Sequence, residues 1–231
     1  MAREIQRGLR EMLVEIPVEG THTIAGALSV PSAARGVVIF AHGSGSSRLS
    51  PRNMAVAAAL NERGFGTLLF DLLTSEEEAD RGNVFDISLL AGRLVDAVRW
   101  LGAEGPSIGS LPLGLFGAST GAAAALVAAA HLPDQIDAVV SRGGRPDLAA
   151  DALARVRAPT LLIVGGADFG VIELNTQALS RLRAPKAMEI IPGATHLFPE
   201  PGAMEAVIGH AARWFERYLA LPGTARPTEN R

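Results

Sequence analysis

Residues 111–130 constrain this chain more than any other stretch. Leu111 to Phe116 is a short apolar run, Ala122 to Ala130 is an alanine-rich one, and between them stands Gly117-Ala118-Ser119-Thr120-Gly121. The first run reads as a buried strand and the second as a buried helix, so the pentapeptide has to turn the chain sharply. Such a turn strains the backbone of its central serine, and side chains at the positions two residues away on either side would clash. Strand, G-x-S-x-G turn and helix, in that order, present a serine hydroxyl at the end of a sheet as a nucleophile elbow.

The pattern means little without its context. A second copy, Gly105-Pro106-Ser107-Ile108-Gly109, follows a helical pattern and precedes a strand, the reverse of what an elbow needs. Its proline and glycines read as an ordinary helix-to-strand loop. Ser119 is therefore the candidate nucleophile, and Ser107 is not.

The periodicity around the elbow alternates between strand and helix. Met12 to Val18 and Thr21 to Val30 alternate across Glu19-Gly20, as an antiparallel hairpin does. Strands are expected at 36–41, 65–71, 111–116, 136–141, 160–164 and 187–191. Helices are expected at 51–63, 86–101, 122–130, 146–155, 171–182 and 201–219. This alternation implies a doubly wound, mostly parallel eight-stranded sheet with helices on both faces. No insertion is long enough for a cap domain. Residues 1–221 read as a single domain and 222–231, polar with two prolines, as a flexible tail. Leu72 to Phe85 is the longest irregular stretch, rich in Glu and Asp, and reads as a solvated loop or a gate over the site.

Composition removes several kinds of chemistry. The 231 residues carry a formal net charge of −3 and no Lys/Arg run, so nucleic-acid binding has no electrostatic footprint. Cysteine is absent, which excludes disulfides, thiolate catalysis and cysteine metal sites. Lys186 is the only lysine. No metal-ligand spacing such as H-E-x-x-H occurs, and neither a metal nor a cofactor is expected. The first ten residues are charged and lack an apolar core, and the longest apolar stretch, Gly121 to Leu132, is too short to span a bilayer. A soluble cytoplasmic protein, monomer or homodimer, with no membrane partner, is the expectation.

A serine hydroxyl needs a base, and the base needs an orienting acid. Of five histidines, His196 lies in Gly193-Ala194-Thr195-His196, after the last strand and before the last helix. That places it at the carboxyl edge of the sheet beside Ser119. Asp168, in Val164-Gly165-Gly166-Ala167-Asp168, directly follows a strand and is the candidate acid. Glu173 and Asp71 are rivals, and an N-cap role is the structural alternative for Asp168. The oxyanion of acyl transfer needs two donors. The Thr120 N–H, at a helix start, is one. The other is expected from His42-Gly43-Ser44-Gly45-Ser46, at Ser44. A dinucleotide fingerprint there would need a third glycine where Arg48 stands. His42 and Gly43 also border this loop as candidate substrate contacts. Arg142 and Arg145 follow a strand at the same edge and could bind an anion, with ion pairs to Asp147, Asp151 or the acidic loop as the alternative. Phe169 and Phe198 could line a small acyl pocket, which predicts a preference for short acyl chains or small lactones.

Taken together, His42-Gly43-Ser44-Gly45, Gly117-Ala118-Ser119-Thr120-Gly121, Gly166-Ala167-Asp168 and Gly193-Ala194-Thr195-His196 resemble the motifs of dienelactone hydrolase-like α/β-hydrolases. The resemblance covers roughly residues 12 to 219. It implies cofactor-free hydrolysis of a small-molecule ester or lactone. Dienelactone hydrolase itself uses a cysteine nucleophile, whereas this chain offers Ser119, which favours a serine esterase. The same three residues would also serve thioester hydrolysis, perhydrolysis or acyl transfer, or persist in a small-molecule receptor on a hydrolase fold.

Overall fold

Continuous apolar runs become strands covered on both faces, and the alternating runs become the sheet's edge. The computed structural model describes residues 8–18, 22–104 and 106–219. The expected Glu19-Gly20 turn, Gly105 and the C-terminal tail lie outside these residues. Strands β1 (Leu9–Pro17) and β2 (Thr23–Pro31) form an antiparallel ribbon. They are followed by β3 (Val37–Ala41), β4 (Gly66–Phe70), β5 (Leu113–Ala118), β6 (Ala138–Arg142), β7 (Thr160–Gly165) and β8 (Lys186–Ile191). The order across the sheet is β1-β2-β4-β3-β5-β6-β7-β8. Pairing is parallel from β4 through β8, and β2 joins β4 antiparallel.

Every residue of β3, β4, β6 and β7 is buried, because helices cover both faces. On one face pack α4 (Ile87–Ala103), α6 (Thr120–His131) and α7 (Phe169–Arg181), and on the other α1 (Pro51–Glu62) and α8 (Ala203–Tyr218). Alternate strand residues feed the two cores. Ile39, Leu115, Val139 and Leu162 point to the first, and Val38, Phe116, Val140 and Ile163 to the second. Ala122 to Ala125, Ala128 and Ala129 of α6 are wholly buried. Their small side chains let this helix sit close against both the sheet and α4.

Two segments depart from the sequence reading. Residues 72–85 are not an irregular loop; they hold two short helices, α2 (Ser75–Glu78) and α3 (Arg81–Phe85). Thr74 and Glu77 form a reciprocal capping box, and Asp80 accepts from the Gly82 N–H at 2.8 Å. Thr74-x-x-Glu77 is a start signal legible in the sequence, but each helix is too short to show a period. Pro146–Arg155, expected as a helix, is a 3₁₀ segment broken at Ala150, whose φ of 43° and ψ of −118° no helix contains. Pro106–Gly109 forms the one-turn helix α5 between α4 and β5. No helix among the described residues is long and apolar enough to cross a membrane.

Candidate active site

Ser119 sits between β5 and α6 with φ 51° and ψ −121°, the strained geometry that its pentapeptide predicts. Both glycines are sterically required. A Cβ on Gly117 would meet the Ala122 Cα at 2.4 Å, and one on Gly121 would meet the Ala41 carbonyl oxygen at 2.3 Å. The turn is pinned to the next strand as well. The Ser119 N–H donates to the Arg142 carbonyl at 3.3 Å, and the Arg145 N–H donates to the Ser119 carbonyl at 3.0 Å.

Three residues far apart in sequence meet here. His196 Nδ1 lies 2.7 Å from Asp168 Oδ2, and His196 Nε2 lies 3.4 Å from Ser119 Oγ. Asp168 stands at the N-cap position of α7 but makes no side-chain cap bond, so its carboxylate is left for the imidazole. The rival acids are elsewhere. Asp71 binds the Arg48 backbone N–H at 2.8 Å and its guanidinium, and Glu173 is an exposed residue of α7 hydrogen-bonded by Gln177. Pro106–Gly109 follows a helix and precedes a strand, so the second G-x-S-x-G copy forms no elbow.

The loop after β3 departs from the sequence reading in its donor. The Ser44 N–H is engaged, donating to Thr120 Oγ1 at 2.9 Å, so it cannot also face an oxyanion. Gly43 abuts Ser119 instead, and a Cβ placed on it would lie 3.0 Å from the Ser119 Cβ. The N–H groups of Gly43 and Thr120 have no acceptor among the described residues. A glycine at that place in the loop was the available signal, since only a bare backbone comes so close to the serine.

Several candidate substrate contacts have structural work. His42 is buried; its Nδ1–H donates to the Gly43 carbonyl at 3.0 Å and its Nε2 accepts from the Leu72 N–H at 3.0 Å. Both ring nitrogens are used, so His42 borders the cavity without a free polar atom to offer a substrate. Burial holds its pKa below the usual histidine value, outweighing the Gly43 carbonyl and the charges of Asp71 and Glu78. Phe198 is 2% exposed and belongs to the core around Phe215, so it walls no acyl pocket. Phe169 is 77% exposed at the start of α7. Arg145 is committed to Asp147 through bonds of 2.9 and 2.8 Å, and that partner raises its pKa. Arg142 is buried and has no carboxylate within ion-pair distance among the described residues.

A cavity of about 650 Å³ opens beside the loop after β3. It is lined by His42 to Ser47, by the apolar side chains of Leu72, Leu73, Val84, Phe85 and Leu90, and by Glu78 and Arg81. The segment 72–85 therefore contributes an apolar wall to this cavity.

A mostly parallel eight-stranded sheet with a serine elbow, and with a histidine and an aspartate gathered at its carboxyl edge, is an α/β-hydrolase fold. The chain belongs to the dienelactone hydrolase family, whose sequence model matches residues 24–221. It is 54% identical to a dienelactone hydrolase from Anabaena variabilis; the match covers 92% of this chain and 100% of that crystal structure, with a TM-score of 0.88. Est1E from Butyrivibrio proteoclasticus shares the fold at 17% identity and a TM-score of 0.74, over 88% of this chain and 97% of its own. Two curated proteins of Mycobacterium tuberculosis, strains CDC 1551 and H37Rv, carry the provisional name phosphoribosyl transferase. Each is 57% identical over 215 residues, which is 93% of this chain but 48% of the relative. The chain thus spans about half the length of the curated relatives it matches.

Proposed function

We propose that this chain is a serine hydrolase of carboxylic esters or lactones, acting through an acyl-enzyme on Ser119. The observation that carries the reading is His196, whose two ring nitrogens lie 3.4 Å from Ser119 Oγ and 2.7 Å from Asp168 Oδ2. Asp168 fixes the tautomer that leaves Nε2 free to accept a proton. The separation from Ser119 is at the long end for a hydrogen bond, as catalytic contacts often are before substrate is bound.

Ser119 Oγ attacks the ester carbon while Nε2 takes its proton. The carbonyl π electrons move to oxygen, and that oxyanion is held by the N–H groups of Gly43 and Thr120, at the start of α6. The C–O bond to the alcohol then breaks, and the imidazolium returns its proton to the departing oxygen. Water attacks the acyl carbon, its proton passes to Nε2, and collapse of the second oxyanion restores Ser119 and releases the acid. In a lactone the alcohol and the acid leave as one molecule.

The transferase name of the M. tuberculosis relatives attaches to proteins about twice this length. The residues this chain shares with them are, over 24–221, those that match the dienelactone hydrolase family, and that match supports the hydrolase reading of the shared part.

The test is labelling with a fluorophosphonate together with turnover of 4-nitrophenyl acetate. Wild type and Ser107→Ala should label and turn over, and Ser119→Ala should do neither while keeping its melting temperature. Labelling that survives in Ser119→Ala would sink the assignment.

A further inference from the structure

His196 sits on a turn that the chain anchors on both sides. His196 and Leu197 are its central residues, and the Phe198 N–H closes it by donating to the Thr195 carbonyl at 3.1 Å. Before the turn, the Ala194 carbonyl accepts the Ala167 N–H at 2.9 Å, one residue from Asp168. That approach is close, since a Cβ on Gly165 would meet the Ala194 carbonyl oxygen at 2.4 Å and that of Thr195 at 2.8 Å. After the turn, Phe198 is buried in the core around Phe215. Between these anchors the main chain of His196 makes no hydrogen bond among the described residues, and Leu197 is exposed. The direction of the turn therefore depends on what holds Thr195.

Glu200 holds it. Oε1 of Glu200 accepts the Thr195 N–H at 3.1 Å and the Thr195 hydroxyl at 2.6 Å. Glu200 is itself fixed ahead of α8, because its carbonyl accepts the Ala203 N–H at 3.0 Å. Its other oxygen, Oε2, is shielded from water and has no donor among the described residues. The bond from the Thr195 hydroxyl, against the desolvation that opposes it, keeps the Glu200 carboxyl below its usual pKa. The group is thus ionised at neutral pH, and both of its bonds to Thr195 are charge-assisted.

We propose that Glu200 is a positioning residue for His196: through Thr195 it sets the turn so that the imidazole spans Asp168 and Ser119. Glu200 makes no hydrogen bond to the imidazole itself. Nε2 already stands 3.4 Å from Ser119 Oγ, so a small rotation of the turn takes the base out of reach of the proton it must accept. This rests on the serine-hydrolase reading of the same site and adds a residue to it.

The test is a double-mutant cycle read as kcat and KM for 4-nitrophenyl acetate. Glu200→Ala should lower kcat between about tenfold and about a hundredfold, the scale of a misplacement of up to about 1 Å, with KM little changed. Glu200→Gln keeps an oxygen that can accept from both Thr195 donors and should stay within about threefold of wild type. Thr195→Val, which removes only the hydroxyl bond, should fall between the two. In the His196→Ala background, Glu200→Ala should add no further loss, because residues that act through one group are not additive. If Glu200→Ala fails to fold, Thr195→Val takes its place in the cycle. Unchanged kcat in Glu200→Ala overturns the proposal. So does a loss that persists in full in the His196→Ala background, which would mean that Glu200 supports the site without acting through the base. In either case, labelling of wild-type Ser119 by a fluorophosphonate leaves the hydrolase reading standing, whereas absence of that labelling removes the reading and the proposal with it.

Discussion

Thr120 serves the site with two different atoms. Its backbone N–H points to the proposed oxyanion, and its hydroxyl accepts the Ser44 N–H at 2.9 Å, tying the loop after β3 to the elbow. Thr120→Val keeps the first and removes the second, leaving an N–H unsatisfied at about 1–3 kcal/mol. We expect kcat for 4-nitrophenyl acetate to fall about tenfold through the displaced Gly43 amide, with KM little changed and Thr120→Ser near wild type. An unaltered kcat in Thr120→Val would mean that the loop is anchored without this bond. The acid can be assigned in the same assay. His196→Ala and Asp168→Asn should each reduce kcat by about 10⁴-fold, the second through a misoriented imidazole. Asp71→Asn or Glu173→Gln proving the more damaging change would show the acid to be misassigned.

At the scale of elements, α2 and α3 are held over the cavity by Glu77. Its carboxylate accepts the Thr74 N–H at 2.8 Å and pairs with Arg93, and its carbonyl accepts from Asn83 Nδ2 at 3.0 Å. Burial alone would raise the Glu77 pKa, but the Thr74 N–H and Arg93 outweigh it and hold the pKa below the usual carboxylate value. Arg93 is buried, so Glu77→Gln strands its charge and should cost up to about 3 kcal/mol. The readout is faster proteolysis within 72–85 and a raised KM. The apolar wall of this segment also changes the expectation for acyl length. The sequence reading expected short chains because no insertion is long enough for a cap, 72–85 is mostly polar and acidic, and only Phe169 and Phe198 offered an apolar wall. With Leu72, Leu73, Val84 and Phe85 lining the cavity, activity should extend past butyrate. Phe85→Ala should lower kcat/KM for hexanoate more than for acetate, since each buried CH₂ contributes about 0.8 kcal/mol. Equal effects on the two esters would place the acyl chain elsewhere.

For the whole molecule, His42 links the carboxyl ends of β3 and β4 only while neutral, because Nε2 must accept the Leu72 N–H. Its folded pKa is depressed from 6.5, so the unfolded chain binds the proton first as pH falls. Its contribution to stability is therefore complete above about pH 6.5 and declines as pH drops toward the folded pKa. The slope cannot exceed about 1.4 kcal/mol per pH unit for one proton. Nearby Asp71 and Glu78 favour the protonated form and shorten the window without reversing it. Denaturant titrations between pH 7 and 5 should show this loss in wild type, and His42→Gln should flatten it. An identical slope in the variant would assign the acid sensitivity to other groups.

The sheet, the elbow and the trio Ser119, Asp168 and His196 were legible because each rests on local information. The glycine spacing of a tight turn, the length of an apolar run and the position of a loop after a strand are all written in a few adjacent residues. The capping box at Thr74 was equally local, but a helix as short as Ser75–Glu78 shows no period to mark it. What the tertiary structure alone decided is how shared polar atoms are divided. Ser44 was a reasonable oxyanion donor until Thr120, 76 residues away, claimed its N–H and left Gly43 beside the serine. His42 was open to substrate until Leu72 took its second nitrogen. Phe198 was open to an acyl pocket until it packed into the core around Phe215. The physical reason is common to these cases. A hydrogen-bond donor, a lone pair or a ring face can be used only once, and which neighbour uses it depends on elements that meet only when the sheet is assembled.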